Sequence, residues 1–118
     1  MVIDPTRIIG VTAALAGALG VLMLSMGAHG ASDDIAAGRL NTGGLILVLH
    51  AMAALMALSR HAKLAAGLFL IGGGLFASAM ALFVFAPGLY VIGMAPAGGI
   101  ALLIGWFALA GAELRRSY

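Results

Sequence analysis

The chain has 118 residues and a mass of 11.8 kDa, the size of a single domain. Hydrophobic residues make up 64% of it and charged residues 8%, with a mean hydropathy of +1.18, whereas a soluble domain is roughly half apolar and about a quarter charged. Too few charges are present to coat a water-soluble globule, which argues against a soluble enzyme, a nucleic-acid binder, a disordered chain and a secreted disulfide scaffold, and leaves an all-α polytopic membrane protein.

The sequence pI of about 9.7 accompanies a net charge of only +2, so it marks a scarcity of charge and not a basic patch; no nucleic-acid partner is expected. There is no cysteine, which removes disulfides, thiolate catalysis and Cys-ligated metal centres.

Four stretches approach the ~20 apolar residues that a spanning helix needs. The first covers residues 8–27 and is opened by Asp4-Pro5-Thr6, a helix-start signal. It precedes Ala28-His29-Gly30, a small-x-small sequence, but its apolar run exceeds the roughly 7–15 residues of a signal-peptide core, so it reads as a retained span. Residues 28–42 form the longest connection. Ser32 in it is placed to cap a short helix from Asp33, with Ile35 and Leu40 touching the interface.

The second span covers residues 43–59 and is the shortest. A tight turn with Arg60, His61 and Lys63 leads to the third, residues 64–85, and the uncharged Ala86-Pro87-Gly88 turn leads to the fourth, residues 90–112. Pro96 falls in the first turns of that span, where its missing N–H costs little. Arg7, Arg60, Lys63, Arg115 and Arg116 fall on the face shared by the termini, and Arg39 alone falls on the other. This asymmetry predicts both termini in the cytoplasm.

Glycine contributes 18 residues, and small residues recur at helical spacing in each span. The stripes are Gly10, Ala13, Gly17, Gly20 and Gly27 in the first and His50, Ala53, Ala54 and Ala57 in the second, opposite Leu45, Leu49, Met52 and Met56. In the third they are Gly67, Gly74, Ser78 and Ala81, and in the fourth Ala97, Ala101, Gly105, Ala108 and Gly111. Lipid tails are as apolar as leucine, so close contact between small faces, not burial from water, holds such helices together. The expected architecture is a compact four-helix bundle with these stripes inside, some of them available to a partner subunit.

Few polar side chains fall within the spans. His50 is the one ordinarily ionisable group deep in a span, which makes it a functional candidate. The simpler reading is a neutral imidazole bonding a backbone carbonyl or serine of another helix across the bundle; proton or substrate handling and metal or haem ligation are the alternatives. His29 reads first as a helix C-cap and second as a ligand partner of His50, although the two lie at different depths, and two histidines do not make a stable zinc site. Ser78 is read as interior, bonding the carbonyl four residues back. Trp106 lies too deep for an interfacial belt and reads as a packing residue with its N–H bonded inside. The four acids, Asp4, Asp33, Asp34 and Glu113, fall outside the spans, so the buried carboxylate of a small proton-coupled exporter is missing.

Three segments carry a resemblance: Gly27-Ala28-His29-Gly30 after the first span, His50-Ala51-Met52-Ala53-Ala54-Leu55 in the second, and Pro96-Ala97-Gly98-Gly99 followed by Gly105-Trp106 in the fourth. In order and spacing the chain resembles the YgdD-like family of small bacterial inner-membrane proteins, over nearly its whole length. The resemblance implies four spans and a bacterial inner membrane and brings no established reaction. Ala95 replaces the threonine that the family has before the proline, and Phe76-Ala77-Ser78-Ala79-Met80-Ala81 lacks two of its hydroxyls and its tyrosine.

The sequence therefore predicts a non-enzymatic inner-membrane protein that acts by helix association, as an accessory or scaffold subunit or by self-association. A small homo-oligomeric transporter or channel using His50, and a haem- or metal-binding subunit, are the competing expectations. No cofactor is expected, although the glycine-rich faces leave room for lipid or pigment.

Overall fold

The computed structural model describes residues 2–116. Four helices account for most of them: α1 (Pro5–His29), α2 (Asp34–Ser59), α3 (Lys63–Phe85) and α4 (Met94–Leu114), with a single 3-10 turn at Pro87–Leu89. Each of the four is long and apolar enough to cross a membrane.

Local chemistry sets the helix ends. Asp4 caps α1 by accepting from the Thr6 amide at 3.1 Å, with Pro5 in the first position. Asp33, with extended backbone, caps α2 by accepting from the Ala36 amide at 2.7 Å. The cap is thus Asp33, not Ser32, and the helix it opens does not stop before residue 43 but runs unbroken to Ser59. The expected long connection shrinks to a few residues. Hydropathy falls at Arg39 and Asn41, but helical periodicity does not: Ala36, Leu40, Gly43, Gly44 and Leu47 are all buried.

α4 starts later than expected. Residues 90–93 lie outside it, Gly93 adopts a left-handed φ of 97°, and the helix begins at Met94. Pro96 accounts for this boundary, because its ring clashes with the carbonyl four residues back in a continuing helix, that of Ile92. Tyr90 instead stacks on Phe83, with ring centroids 4.0 Å apart, and the Arg39 guanidinium lies 4.3 Å from the Phe83 centroid.

Successive helices pack side by side, α1 on α2, α2 on α3 and α3 on α4, and α1 meets α3 at only a few positions. Two close crossings define the pairs. A Cβ on Gly20 would come 2.9 Å from the Gly44 carbonyl oxygen, and one on Gly44 would come 2.7 Å from that of Gly20. Gly72 and Gly98 repeat the arrangement between α3 and α4, each 2.8 Å from the other's carbonyl oxygen. The absence of a side chain at these positions is what lets the backbones meet.

The buried core is built mostly of alanine (Ala13, Ala53, Ala54, Ala57, Ala65 and Ala66) around one large ring, Phe69. α2 is the most enclosed helix and α1 the least: 44% of the most apolar stretch of α2 is buried, against 11% of that of α1.

Candidate functional site

His50 is buried on α2, and both of its ring nitrogens are engaged. Nδ1 lies 2.8 Å from the carbonyl oxygen of Ile46, one turn back on the same helix. Nε2 lies 3.1 Å from Nε1 of Trp106 on α4. An indole N–H can only donate, so Nε2 accepts through its lone pair and Nδ1 carries the hydrogen donated to Ile46. The ring is therefore the neutral Nδ1–H tautomer, clasping α2 to α4.

Phe69 of α3 packs against both rings, with its centroid 5.7 Å from that of His50 and 4.7 Å from that of Trp106, tilted to both. A small neighbour makes the cluster fit: a Cβ on Gly105 would press 2.9 Å against the Phe69 ring, while Gly73 lies at ordinary contact distance from His50. Gly105 thus makes room for the ring, and Trp106 beside it supplies the hydrogen bond.

α2 begins at Asp34, so His50 lies sixteen residues, about 24 Å, along its axis. His29 ends α1 at the opposite level. Gly27 packs against Asn41 and against the Ala37 carbonyl, and His50 lies nine residues, about 14 Å, beyond Asn41. The structure therefore does not bring His29 and His50 together. The helix closes through the Gly30 amide, which donates to Met26 at 2.8 Å, and not through the exposed imidazole of His29. Among the described residues no group of three His, Cys, Asp or Glu is placed to hold a metal ion.

Ser78 is exposed, contrary to the interior position expected of it. It lines an apolar groove of about 420 Å³ between α1 and α3, with Leu47 of α2 on its floor and Leu15, Leu19, Gly74 and Ala81 along its walls. His50 does not line this groove.

Gly10, Gly17, Gly20 and Gly27 of α1 and His50, Ala53 and Ala57 of α2 face neighbouring helices. On α3 the expected stripe is displaced: a Cβ on Gly67 or Gly74 would meet nothing within 4 Å, while Gly72 and Gly73, with Phe69, form the buried face. On α4 the buried row is Gly98, Leu102, Gly105 and Leu109, so Ala97 turns out exposed, Ala101 is half-buried, and of the expected stripe only Gly105 is fully buried. Gly99, next to Gly98, has open space beside it.

Phe69 is the site residue that sequence reading misses, because in an alanine- and glycine-rich segment a large aromatic reads as lipid-facing. No protein-family model, curated protein or solved structure matches the chain.

Proposed function

We propose that the protein is a four-span integral membrane protein of a bacterial inner membrane, with both termini in the cytoplasm, that acts without enzymatic chemistry by associating with another transmembrane helix. The single observation that carries this reading is the groove between α1 and α3. Its α3 wall presents small residues, Gly74 and Ala81 half-buried and Ser78 exposed, beside the least enclosed helix of the chain. Small faces give lipid little to pack against and let a helix backbone come close, so this face suits a further helix. The occupant is a helix of a larger membrane complex in which this chain is an accessory or scaffold subunit.

The orientation rests on the five cations at one end of the helices against Arg39 at the other. His50 fits a structural part better than a transport one, since both nitrogens serve bonds within the chain. Membership of the YgdD-like family is part of the proposal. Its support is that Gly27, His50, Gly98, Gly105 and Trp106, which carry the resemblance, make close contacts between helices.

The test is gentle extraction from native membranes followed by native mass spectrometry. A defined heteromeric mass, lost on Gly74→Leu and Ser78→Leu, is the expected result. Both substitutions point into the groove and leave the fold alone. A lone chain, or a heteromer that survives both, overturns the reading; a homo-oligomer lost on the same substitutions replaces the partner subunit with a second copy.

A further inference from the structure

A second cavity, of about 500 Å³, opens between the start of α3 and the end of α4. His61, Lys63 and Arg115 line it together with Leu64, Phe107 and Gly111. The other charges nearby are already matched. Glu113 pairs with Arg60 at 3.4 Å and with Arg116 at 3.4 Å, and among the described residues neither Lys63 nor Arg115 has a carboxylate partner.

The backbone aims this cluster. His61 takes a left-handed φ of 60°, an uncommon conformation for a residue with a side chain, and it turns the chain sharply from α2 into α3. The Arg115 guanidinium folds back along α4 beside Gly111, where a Cβ would lie at an ordinary contact distance of 3.6 Å from Nη1. Above the cations the walls become apolar, and Leu64 and Phe107 are 72% and 75% exposed.

We propose that this cavity binds the phosphate headgroup of an anionic diacyl phospholipid, with Lys63 and Arg115 on the phosphate and the acyl chains along Leu64 and Phe107. Two cations with no carboxylate partner among the described residues, in a concave site at the end of the spans where the basic residues collect, match a lipid phosphate in charge and in depth. Ala62 at the start of α3 brings no side-chain acceptor, so the first amides of that helix add to the positive field. A soluble anion would use the cations but not the exposed ring and leucine beside them. The inference rests on the membrane reading above.

The full chain is reconstituted into nanodiscs of dioleoylphosphatidylcholine with a minor share of dioleoylphosphatidylglycerol, re-extracted in mild detergent, and its retained lipid counted by native mass spectrometry. The expected result is one phosphatidylglycerol retained in preference to phosphatidylcholine. Lys63→Gln with Arg115→Gln lowers that preference roughly tenfold or more, from the contribution of a basic residue near an anionic surface. Arg7→Gln with Arg39→Gln removes the same charge away from the cavity and leaves the preference unchanged.

Equal loss in both double variants reduces the effect to net charge and overturns the site. Displacement of the lipid by millimolar inorganic phosphate alone makes it a soluble-anion site and overturns the lipid assignment. A chain that enters the nanodiscs but retains no phosphatidylglycerol defeats this inference and leaves the membrane reading standing. A chain that fails to enter them defeats both.

Discussion

The His50–Trp106 clasp can be measured directly. Trp106→Phe removes the indole N–H while keeping an aromatic ring against Phe69, whose centroid lies 4.7 Å away. The packing loss is that of a residue already 45% exposed. What remains is the 3.1 Å bond to Nε2. Interhelical hydrogen bonds in membrane proteins average about 0.6 kcal/mol in double-mutant cycles and reach about 1.7 at most. Nε2 is left without a donor in a buried setting, which places this bond in the upper half of that range, at about 1 kcal/mol. His50→Leu removes the same bond from the other side and the Ile46 bond as well.

The quantity to compare is the cost of Trp106→Phe in each background, about 1 kcal/mol with His50 present and near zero with Leu in its place. Reversible unfolding in mixed micelles, followed by helicity, gives both values. Because Trp106 is the one tryptophan of the chain, its emission reports independently on the His50→Leu variant. A coupling smaller than about 0.3 kcal/mol, the scatter expected of independent sites, would refute the clasp as a source of stability and reopen the use of His50 for something other than holding α2 to α4.

Two further substitutions follow from the geometry. Gly72→Ala places a Cβ 2.8 Å from a backbone oxygen that cannot swing aside, and is expected to destabilise by about 1–3 kcal/mol as overpacking does, whereas Gly74→Ala, with open space around it, is neutral or slightly stabilising through better helix propensity; comparable unfolding midpoints for the two variants would contradict the α3–α4 crossing. Asp33→Ala removes the 2.7 Å cap of α2 and is expected to cost about 1 kcal/mol, read as faster amide exchange over residues 34–38 with no change near His50; unaltered exchange there would return the start of the helix to a point beyond residue 34.

The legibility of each helix depended on what its residues offer besides hydropathy. α2 separates by size between Leu49 and Ala57, with Ala53, Ala54 and Ala57 buried and Leu49, Met52 and Met56 exposed, so that part of its inner face could be read, whereas Leu40 and Leu47 nearer its start are large and buried. α3 has Gly67, Gly72, Gly73 and Gly74 on several sides, and size alone picks the wrong row, because the residue that decides is the fully buried Phe69. α4 misleads in the same way: Leu102 and Leu109 are large and buried, while Ala97 is small and exposed. Boundaries failed where charge and periodicity disagree. Arg39 breaks the apolar run, yet it is accommodated over the Phe83 ring and the helix passes through it. The bond between His50 and Trp106 joins residues 56 apart in sequence, a pairing that no local pattern encodes.

On the membrane reading proposed above, exposed leucines on α1 are not a hydrophobic patch in the sense used for soluble proteins, because the solvent would be as apolar as they are. The informative surfaces are those that suit lipid tails poorly. Small residues facing outward forfeit dispersion contacts that larger side chains would make with the tails, and this singles out the Gly74–Ser78 wall of the groove. On the same reading, cations at the rim without a carboxylate partner among the described residues would meet a charged interface instead of hydrocarbon, and this singles out Lys63 and Arg115. His50 is engaged by Ile46 and Trp106 within the chain, so the proposed partner helix and the proposed lipid are assigned to these two surfaces. They are independent: the groove is lined by α1, α2 and α3 and the basic cavity by the α3–α4 end, with no residue in common. A substitution in one therefore leaves the other intact, and loss of a partner helix and loss of a lipid should separate cleanly between Gly74→Leu and Lys63→Gln.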